Sequence, residues 1–480
     1  MIKAGFYETD ITPCLGMERP SDYYKLFHAT IHDPLKVRAC VLASGKEHIA
    51  IVGIDTCLVQ ELTVQKARAA IKEKCGIPEA KILIAASHTH SGGPLWGFCD
   101  EELKDAPELI RQLALKESIS LDVDYEKHVI RQMMTAVCMA EKHKQPVKLS
   151  IGRGLEGSAV FNRRFRLKNG RSATHPGQCN PAIIEPAGPI DPEVGVIAAW
   201  GNNGELIGCL VNYACHATCH GAGVSADWIC CLEQTVQGVM GKQAKVVFLN
   251  GACGDITQVD NQSLRLIEHG EKPSKLLGAR VGAEVIKVLV SSEKGEDFKL
   301  AVLTDKLNLK IRKPSVASII KCRKICEQML SAPQKTMEFH FAKERLVLDY
   351  LLSKSNSRTI EIQAIQIGPA ILLANPSEYF CQYGLDIKKR SKFPYTFVIE
   401  LANGCCGYVP TEDAFDPKHG GGYETVLTSG SKLEIKAGRK IMEKSLELAG
   451  RLVPGAVPQG KQAKPSKKVW NYGALGPELE

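Results

Sequence analysis

Three stretches of the sequence each alternate an apolar strand pattern, a helical pattern and a second apolar strand pattern. The strands are predicted at residues 49–54 and 81–86, 206–213 and 245–249, and 370–374 and 395–401, and the helices between them at residues 63–75, 227–240 and up to residue 389. Two strands that flank a helix in this way form a parallel β-α-β unit. The sequence therefore predicts an α/β fold with a mixed β-sheet core flanked by helices.

The length and composition favour one large domain. The chain has 480 residues, of which 44% are hydrophobic and 24% charged, as is usual for a globular protein. We expect this domain to span residues 1–458, followed by an extended or disordered tail at residues 459–480, where the composition shifts to Pro, Gly, Lys and Gln. Residues 155–189 are predicted to be a long excursion over the surface, with a place in the pocket wall as the alternative, and residues 310–354 a mainly helical outer layer.

Several classes of protein are disfavoured by the composition. The formal net charge is +8, but the basic residues are spread along the chain, so nucleic-acid binding is not expected. No run of about 18 apolar residues predicts a membrane span, and the N-terminal residues lack the apolar core of a signal peptide, so we expect a cytoplasmic protein. The 18 cysteines are then expected to be reduced, mostly buried thiols. The sequence carries no indication of the oligomeric state.

Polar side chains follow a predicted strand in each of the three units. His88 and His90 come directly after the strand at residues 81–86, and residues two apart in an extended segment point to the same face. His216 and Glu378 follow strands of the second and third units. Because ligands of open α/β sheets bind outside the carboxyl ends of strands, we expect these side chains to converge on one site there.

Two imidazoles and a carboxylate are typical ligands of a catalytic zinc ion, which keeps a further position for water. We therefore predict one zinc ion per chain, held by His88, His216 and Glu378. Zinc lowers the pKa of its bound water to about 7 and polarises a carbonyl group, so that zinc-bound hydroxide attacks the carbonyl carbon. His90 is placed to protonate the departing amine. These parts indicate the hydrolysis of an amide or an ester.

The ordered motifs of the chain resemble those of the neutral ceramidase family. The motifs are Ser87-His88-Thr89-His90-Ser91-Gly92, Asn212-Tyr213-Ala214-Cys215-His216-Ala217-Thr218, Ser225-Ala226-Asp227, Gly254-Asp255-Ile256-Thr257, Pro376-Ser377-Glu378-Tyr379, Gly407-Tyr408-Val409-Pro410-Thr411 and Gly422-Tyr423-Glu424. Each motif is short, but seven in the same order are specific. The resemblance implies a zinc-dependent amidase whose metal ligands are His88, His216, Glu378 and Tyr408.

The same resemblance assigns roles around the substrate. His90 and Tyr423 would lie beside the scissile amide, as proton donor and as stabiliser of the carbonyl oxygen. Asn162 and Arg163 look like the family's substrate contact. Thr257 stands where family members that act on ceramide have serine, and it keeps a hydroxyl for a polar substrate contact. The predicted substrate is an N-acylated small molecule or a lipid-like amide.

Two aspartates have more than one possible role, and the predicted zinc site is compatible with two other functions. Asp255 either closes a turn or orients a metal-bound histidine from outside the ligand set. Asp227 precedes a helical pattern and is interpreted as its N-cap. The same zinc site would also serve an esterase or lactonase, or a non-catalytic protein that binds metal or ligand on this fold.

Overall fold

The computed structural model describes residues 2–480, which contain twenty-one strands and ten α-helices. The strands are β1 (Ile2–Asp10), β2 (Lys36–Ser44), β3 (Glu47–Ile54), β4 (Ile82–Ala86), β5 (Gln145–Pro146), β6 (Lys148–Leu155), β7 (Phe161–Asn162), β8 (Arg164–Leu167), β9 (Ser172–Thr174), β10 (Ile183–Pro186), β11 (Glu193–Trp200), β12 (Leu206–Tyr213), β13 (Lys245–Asn250), β14 (Ile256–Thr257), β15 (Lys294–Gly295), β16 (Leu300–Lys310), β17 (Ser357–Ile367), β18 (Ala370–Ala374), β19 (Glu378–Tyr379), β20 (Tyr395–Ile399) and β21 (Tyr408–Val409). The helices are α1 (Glu61–Cys75), α2 (Asp100–Leu103), α3 (Glu108–Leu115), α4 (Val123–Lys142), α5 (Trp228–Met240), α6 (Glu271–Ser291), α7 (Val316–Met329), α8 (Met337–Lys354), α9 (Cys381–Arg390) and α10 (Ala437–Gly450). Short 3₁₀ helices occupy Glu79–Lys81, Glu412–Phe415 and Tyr423–Thr425.

Three larger sheets form the framework. Their strand orders are β4-β3-β2-β1-β5, β13-β12-β11-β6-β15 and β16-β17-β18-β20. One pair in each sheet is parallel: β3 and β4 in the first sheet, β12 and β13 in the second, and β18 and β20 in the third. The other pairs are antiparallel. Each sheet is therefore mixed, with one parallel pair at an edge.

The three predicted β-α-β units are confirmed. Helix α1 joins β3 to β4, α5 joins β12 to β13, and α9 joins β18 to β20, and in each unit the two strands are parallel neighbours. Asp227 caps α5, since its carboxylate accepts a hydrogen bond from the backbone N–H of Trp228. The predicted α/β class with a mixed-sheet core flanked by helices is thus the observed architecture.

One face of each sheet contributes to a shared apolar core. Within β2, Cys40 and Leu42 belong to this core, whereas Val37, Ala39 and Val41 face the helices on the other side, as the period of two in a strand requires. The shared core also contains side chains from β1, β3 and β4, from β6, β11, β12 and β13, and from β16, β17, β18 and β20. The three sheets therefore enclose one apolar centre.

Helices cover the outer faces of the sheets. Helices α1 and α4 pack on the first sheet, α5 and α6 on the second, and α9 and α10 on the third. Helices α3, α7 and α8 form a separate layer with its own apolar cluster, as predicted for the helical segment at residues 310–354. Among residues 2–480, no helix combines the length and apolar character that crossing a bilayer requires.

The prediction for residues 155–189 is wrong in one respect. This segment is not a plain surface excursion, because it forms the antiparallel sheet β10-β8-β9 and the strand β7, which pairs with β14. Asn162, Arg163 and Arg164 are buried within it. Most of their polar groups are paired inside the protein. The Arg164 Nη2, for example, donates to the carbonyl oxygen of Gly421 at 2.7 Å, and composition does not reveal such pairing.

The end of the chain has no regular structure. Residues 459–480 contain no helix or strand, and almost all of them are exposed. The boundary predicted at residue 458 between a domain and a tail remains a prediction. All 18 cysteines are free, and most of them are buried or half-buried.

A buried ion-pair network joins the first sheet to a helix of the second unit. Arg38 on β2 contacts Asp55 at 2.8 Å and Glu233 on α5 at 2.8 Å, and all three side chains are at most 4% exposed. Burial alone would raise the pKa of Glu233, but Arg38 and Lys36 outweigh burial and hold it at about 2. The ionised network therefore stabilises the contact between two units.

We expect Glu233→Gln to reduce the free energy of unfolding by about 3–5 kcal/mol, because it removes one partner of a buried ion pair. The folded-state pKa lies below the ordinary value, so this stabilisation is complete above about pH 4.5 and is lost as the pH falls towards about 2. Urea unfolding between pH 7 and pH 3 measures both effects. Glu79→Gln, which breaks the exposed pair with Lys72, is the control and should change stability by about 0–1 kcal/mol. Equal effects of the two substitutions at pH 7 would contradict the structural role of Arg38.

Candidate metal centre and active site

The carboxyl ends of strands from all three sheets meet at one place. The backbone N–H of Ala86, at the end of β4, donates to the carbonyl oxygen of Leu401 at 3.1 Å. The backbone N–H of Glu400, which follows β20, donates to the carbonyl oxygen of Asn250, at the end of β13, at 3.1 Å. The segments that follow β4, β13 and β20 are therefore held side by side, as the strand-end argument predicts.

Three predicted metal ligands lie together at this junction. The potential ligand atoms of His88, His216 and Glu378 are within 4.8 Å of one another. Glu378 Oε2 lies 3.3 Å from His88 Nε2 and 3.8 Å from His216 Nε2. All three side chains are buried. The structure thus brings together groups that are separated by more than a hundred residues along the chain.

The potential metal-ligand atoms of this cluster are arranged as a metal ion requires. His88 Nε2 and Glu378 Oε2 are buried, and neither makes a hydrogen bond of acceptable geometry. The other nitrogen of His88, Nδ1, contacts the carbonyl oxygen of Cys57 at 2.9 Å, and His216 Nδ1 contacts the thiol of Cys253 at 3.4 Å. Metal-bound histidines usually donate from their second nitrogen in this way. His88 Nε2 is therefore available to a cation, whereas His216 Nε2 contacts Arg163 Nη1 at 3.0 Å.

His88 has an unusual backbone conformation. Its φ of 64° lies in the left-handed region, which side chains other than glycine rarely adopt. Such a conformation costs of order 1–3 kcal/mol and persists only where surrounding contacts hold it. This unusual conformation occurs at a predicted ligand, whose Nε2 lies 3.3 Å from Glu378 Oε2.

A buried cation, Arg163, adjoins the cluster. Its Nε donates to Glu424 at 2.9 Å, and its Nη2 donates to the carbonyl oxygen of Gly254 at 2.7 Å and to the hydroxyl of Tyr408 at 3.2 Å. Nη1 lies 3.0 Å from His216 Nε2, a contact that a metal ion on this nitrogen would replace. Most donors of Arg163 are therefore engaged by the protein. Its predicted substrate contact remains a prediction.

The electrostatic environment differs between the two imidazoles. Burial and the adjacent Arg163 hold the pKa of His216 well below its ordinary value, which keeps the ring neutral as a metal ligand must be. Burial acts in the same direction on His88, but Cys57 and Glu378 outweigh it and hold the pKa of His88 well above its ordinary value.

Two tyrosines complete this side of the cluster. Tyr408 is the parallel partner of Glu378 in the β19–β21 pair, so both side chains belong to the same short ladder. The hydroxyl of Tyr408 lies 3.1 Å from that of Tyr423, which begins the 3₁₀ helix at Tyr423–Thr425. Burial raises the pKa of both phenols, with Arg163 acting against it. Both hydroxyls are therefore proton donors at neutral pH.

His90 faces the same space as the cluster. Its ring centroid lies 5.0 Å from that of His88 and 5.9 Å from that of His216. Its Nε2 is buried without a hydrogen-bond partner. Burial and the positive neighbours His88, Arg163 and Arg19 hold the pKa of His90 well below its ordinary value. The structure thus provides a neutral imidazole with one nitrogen free for a substrate.

Asn162 and Thr257 lie on a neighbouring ladder and make contacts within the protein. The Asn162 amide donates to Asp255 at 2.7 Å and to the carbonyl oxygen of Pro189 at 3.1 Å. The Thr257 hydroxyl accepts a hydrogen bond from the backbone N–H of Val259 at 3.2 Å. The substrate contacts of these two residues remain predictions.

The carboxylate of Asp255 makes its hydrogen bonds to groups other than the imidazoles, and its role in orienting a metal-bound histidine remains a prediction. Its Oδ1 accepts a hydrogen bond from the backbone N–H of Cys381, the first residue of α9, at 2.8 Å, and its Oδ2 accepts from Asn162. The carboxylate therefore fastens the loop after β13 to α9 and to the strand before Arg163. Contacts to the imidazoles come from Cys57 and Cys253 instead.

Sequence reasoning gave no role to three buried groups near the site. Glu424 pairs with Arg163, and it lies within a quoted motif that could have identified it. Glu400 accepts hydrogen bonds from the backbone N–H groups of Cys253 and Tyr379, and only its position after a predicted strand could have drawn attention to it. Cys253 stands in a loop where nothing in the sequence distinguishes it from other buried thiols.

We expect Gly254→Ala to destabilise the protein by about 1–3 kcal/mol and to weaken metal binding, because the added methyl group would lie 2.5 Å from the backbone oxygen of Glu378. Gly238→Ala in α5 is the matched control, since a methyl group there meets open space and should be neutral or stabilising by up to about 1 kcal/mol. Urea unfolding and zinc titration of both variants give the comparison. Normal stability and zinc affinity in Gly254→Ala would show that this close approach does not position Glu378.

Known proteins resemble this chain in structure. No protein-family model and no curated protein matches the sequence. Neutral ceramidase from Pseudomonas aeruginosa is similar with a TM-score of 0.66 and 17% identity, over 96% of this chain and 76% of that chain. A solved ceramidase complexed with C2 is similar with a TM-score of 0.67 and 16% identity, over 97% of this chain and 77% of that chain. The chain has the fold of the neutral ceramidases.

Proposed function

We propose that this protein is a zinc-dependent amidase that hydrolyses the amide bond of an N-acylated small molecule or a lipid-like amide. The observation that carries the proposal is the buried cluster of His88, His216 and Glu378, in which two donor atoms have no hydrogen-bond partner within the described chain. Two histidines and a glutamate are a common ligand set of catalytic zinc. The ceramidase fold, described above, supports hydrolysis of an amide as the reaction.

The ligand set explains which chemistry the site supports. Zinc, when bound, supplies an activated water and polarises the substrate carbonyl group. Glu378 contributes the negative charge that a divalent cation needs, and Tyr408 lies beside it as a fourth candidate ligand. Because the cluster is buried, water other than the reacting molecule is largely excluded, which strengthens electrostatic interactions in the site.

The neighbouring donors are arranged for negative charge on an oxygen atom. Tyr423 keeps its phenolic proton at neutral pH and lies 3.1 Å from the hydroxyl of Tyr408. We assign it the stabilisation of the carbonyl oxygen, which becomes negative as the carbonyl carbon is attacked. Arg163 lies 5.2 Å from the centroid of the Tyr423 ring and adds positive charge to the same region.

His90 is assigned the transfer of protons. Its buried Nε2 has no partner within the described chain and faces the cluster. An imidazole in this position accepts a proton from the attacking water and donates it to the departing nitrogen, so that the amine leaves uncharged. Asn162, Arg163 and Thr257 are assigned to substrate binding on the motif resemblance alone.

Removal of a predicted ligand should abolish both zinc binding and hydrolysis. We expect His88→Ala and Glu378→Ala to lose stoichiometric zinc and to reduce kcat/KM for an N-acyl amide by at least about 100-fold, since the proposed mechanism requires the metal. Metal analysis of the purified proteins, together with amine release from a panel of N-acyl amides, measures both effects.

His48→Ala provides the control for these two variants, because His48 is a partly exposed histidine that pairs with Glu141 outside the cluster. It should retain zinc and activity. Unchanged zinc content in both ligand variants would remove the basis of the proposed site. Stoichiometric zinc in the wild type without hydrolysis of any amide or ester would instead favour a binding function.

The role of His90 distinguishes an amidase from an esterase. An amine is a poorer leaving group than an alkoxide and depends more on protonation, so we expect His90→Ala to lower kcat/KM by about 10²–10⁴-fold on an amide and much less on the matched ester. Parallel assays on an amide and an ester with the same acyl group test this. Equal losses on the two substrates would argue against protonation of the departing nitrogen by His90.

A further inference from the structure

Glu400 is a fully buried carboxyl group for which the proposed reaction has no role. It follows β20 directly and is 0% exposed. Its backbone N–H donates to the carbonyl oxygen of Asn250, so the residue sits at the junction of the strand ends. A buried carboxyl without a charged partner is costly unless several donors satisfy it. The hydrogen-bond donors that satisfy Glu400 therefore show which segments of the chain it connects.

Both oxygens of Glu400 accept hydrogen bonds from segments that carry proposed ligands. Oε2 accepts from the backbone N–H of Cys253 at 2.9 Å and from that of Tyr379 at 2.8 Å. Oε1 accepts from the thiol of Cys253 at 2.9 Å. The sulfur of Cys253 lies 3.4 Å from His216 Nδ1, and Tyr379 is the next residue after Glu378 in the chain. One carboxyl group thus connects two proposed ligands.

We propose that Glu400 is a positioning residue of the metal centre, which orients His216 through the Cys253 thiol and Glu378 through the backbone of Tyr379. The inference depends on the metal site of the proposed function. It adds a carboxyl–thiol–imidazole arrangement to that site. In metal centres a carboxylate often accepts the outer N–H of a ligating histidine directly. Here the thiol of Cys253 stands between the two groups.

The direction of the hydrogen bonds follows from the donors that each group has. The Cys253 S–H donates to Glu400 Oε1, at a sulfur–oxygen distance of 2.9 Å. The sulfur then accepts from His216 Nδ1–H, which leaves Nε2 unprotonated and able to bind a cation.

The adjoining loop is packed closely enough to transmit this positioning. The backbone N–H of Gly254 donates to the carbonyl oxygen of Tyr379 at 2.9 Å, next to the two hydrogen bonds that Glu400 accepts. The loop after β13 and the Glu378 segment are therefore held at a fixed separation by the carboxyl and by a direct backbone bond. A change at Glu400 should alter the ligand geometry without removing a ligand atom.

Zinc affinity of the full-length protein tests the proposal. Metal-stripped protein is titrated with zinc against a chromophoric chelator, and cobalt(II) absorption spectra report the ligand geometry. We expect Glu400→Gln to bind zinc about 10–100-fold more weakly and to change the cobalt spectrum. The glutamine oxygen still accepts the two backbone bonds, but its amide must donate to the sulfur. The thiol proton then turns to His216 Nδ1 and favours the wrong tautomer.

Two substitutions at Cys253 provide an independent arm. Cys253→Ser retains one donor and one acceptor, so it should keep zinc affinity within about threefold of the wild type. Cys253→Ala loses both and should bind zinc about 10-fold more weakly. Glu126→Gln is the matched control, because Glu126 is equally buried and hydrogen-bonded to Thr63 and Lys66 but lies on α4 outside the site. It should leave zinc affinity unchanged.

The outcomes decide the proposal whether or not every variant folds. Wild-type zinc affinity in a folded Glu400→Gln protein would overturn it. If thermal unfolding shows that Glu400→Gln does not fold, the Cys253 pair decides: equal affinities of the alanine and serine variants overturn the proposal, and rescue by serine supports it. Zinc binding without amide hydrolysis in the wild type would reject the proposed function and leave this comparison valid. Absence of zinc binding in the wild type would reject both.

Discussion

Close packing of three sheets around one apolar core determines where their strands end. The approach is tight enough to require glycine at the contacts, because a methyl group at Gly53 on β3 would lie 2.6 Å from the backbone oxygen of Phe248 on β13, and one at Gly195 on β11 would lie 2.2 Å from the ring of Phe397 on β20. With the sheets fixed in this way, the carboxyl ends of the parallel edge strands fall together. The candidate site depends on that arrangement, since each of its three sides is supplied by a different sheet.

The local elements of this fold were predictable, and their assembly was not. The period of apolar residues and their connection lengths identified β3-α1-β4, β12-α5-β13 and β18-α9-β20, and the structure confirms all three units. Periodicity does not show which antiparallel strands extend each sheet, nor that the three sheets share one core, because both depend on contacts between distant segments. The strand-end rule nevertheless placed His88, His216 and Glu378 together, since it requires only that a polar side chain follow a strand.

The sequence did not predict the roles of buried residues that depend on a partner distant along the chain. Arg163 and Glu424 form an ion pair of 2.9 Å in which both side chains are almost fully buried, but their sequence separation gives no sign of it. Asp255 was open to two interpretations, one of which involves a contact to histidine. The backbone of α9 and the Asn162 amide compete successfully for its oxygens. Cys253 illustrates the same limit, because a thiol gains a specific role only from its neighbours.

The charges of the site argue that a cation belongs to it. Arg163 is the one guanidinium in direct contact with the cluster, and two carboxylates, Glu378 and Glu424, lie beside it. Glu424 is satisfied by Arg163, whereas Oε2 of Glu378 is buried without a hydrogen bond, a state that is costly for an ionised group. A divalent cation would satisfy Glu378 and add positive charge beside it. Positive charge at this place has the sign that an amide oxygen needs as it becomes negative, so a cation held here would favour the proposed hydrolysis.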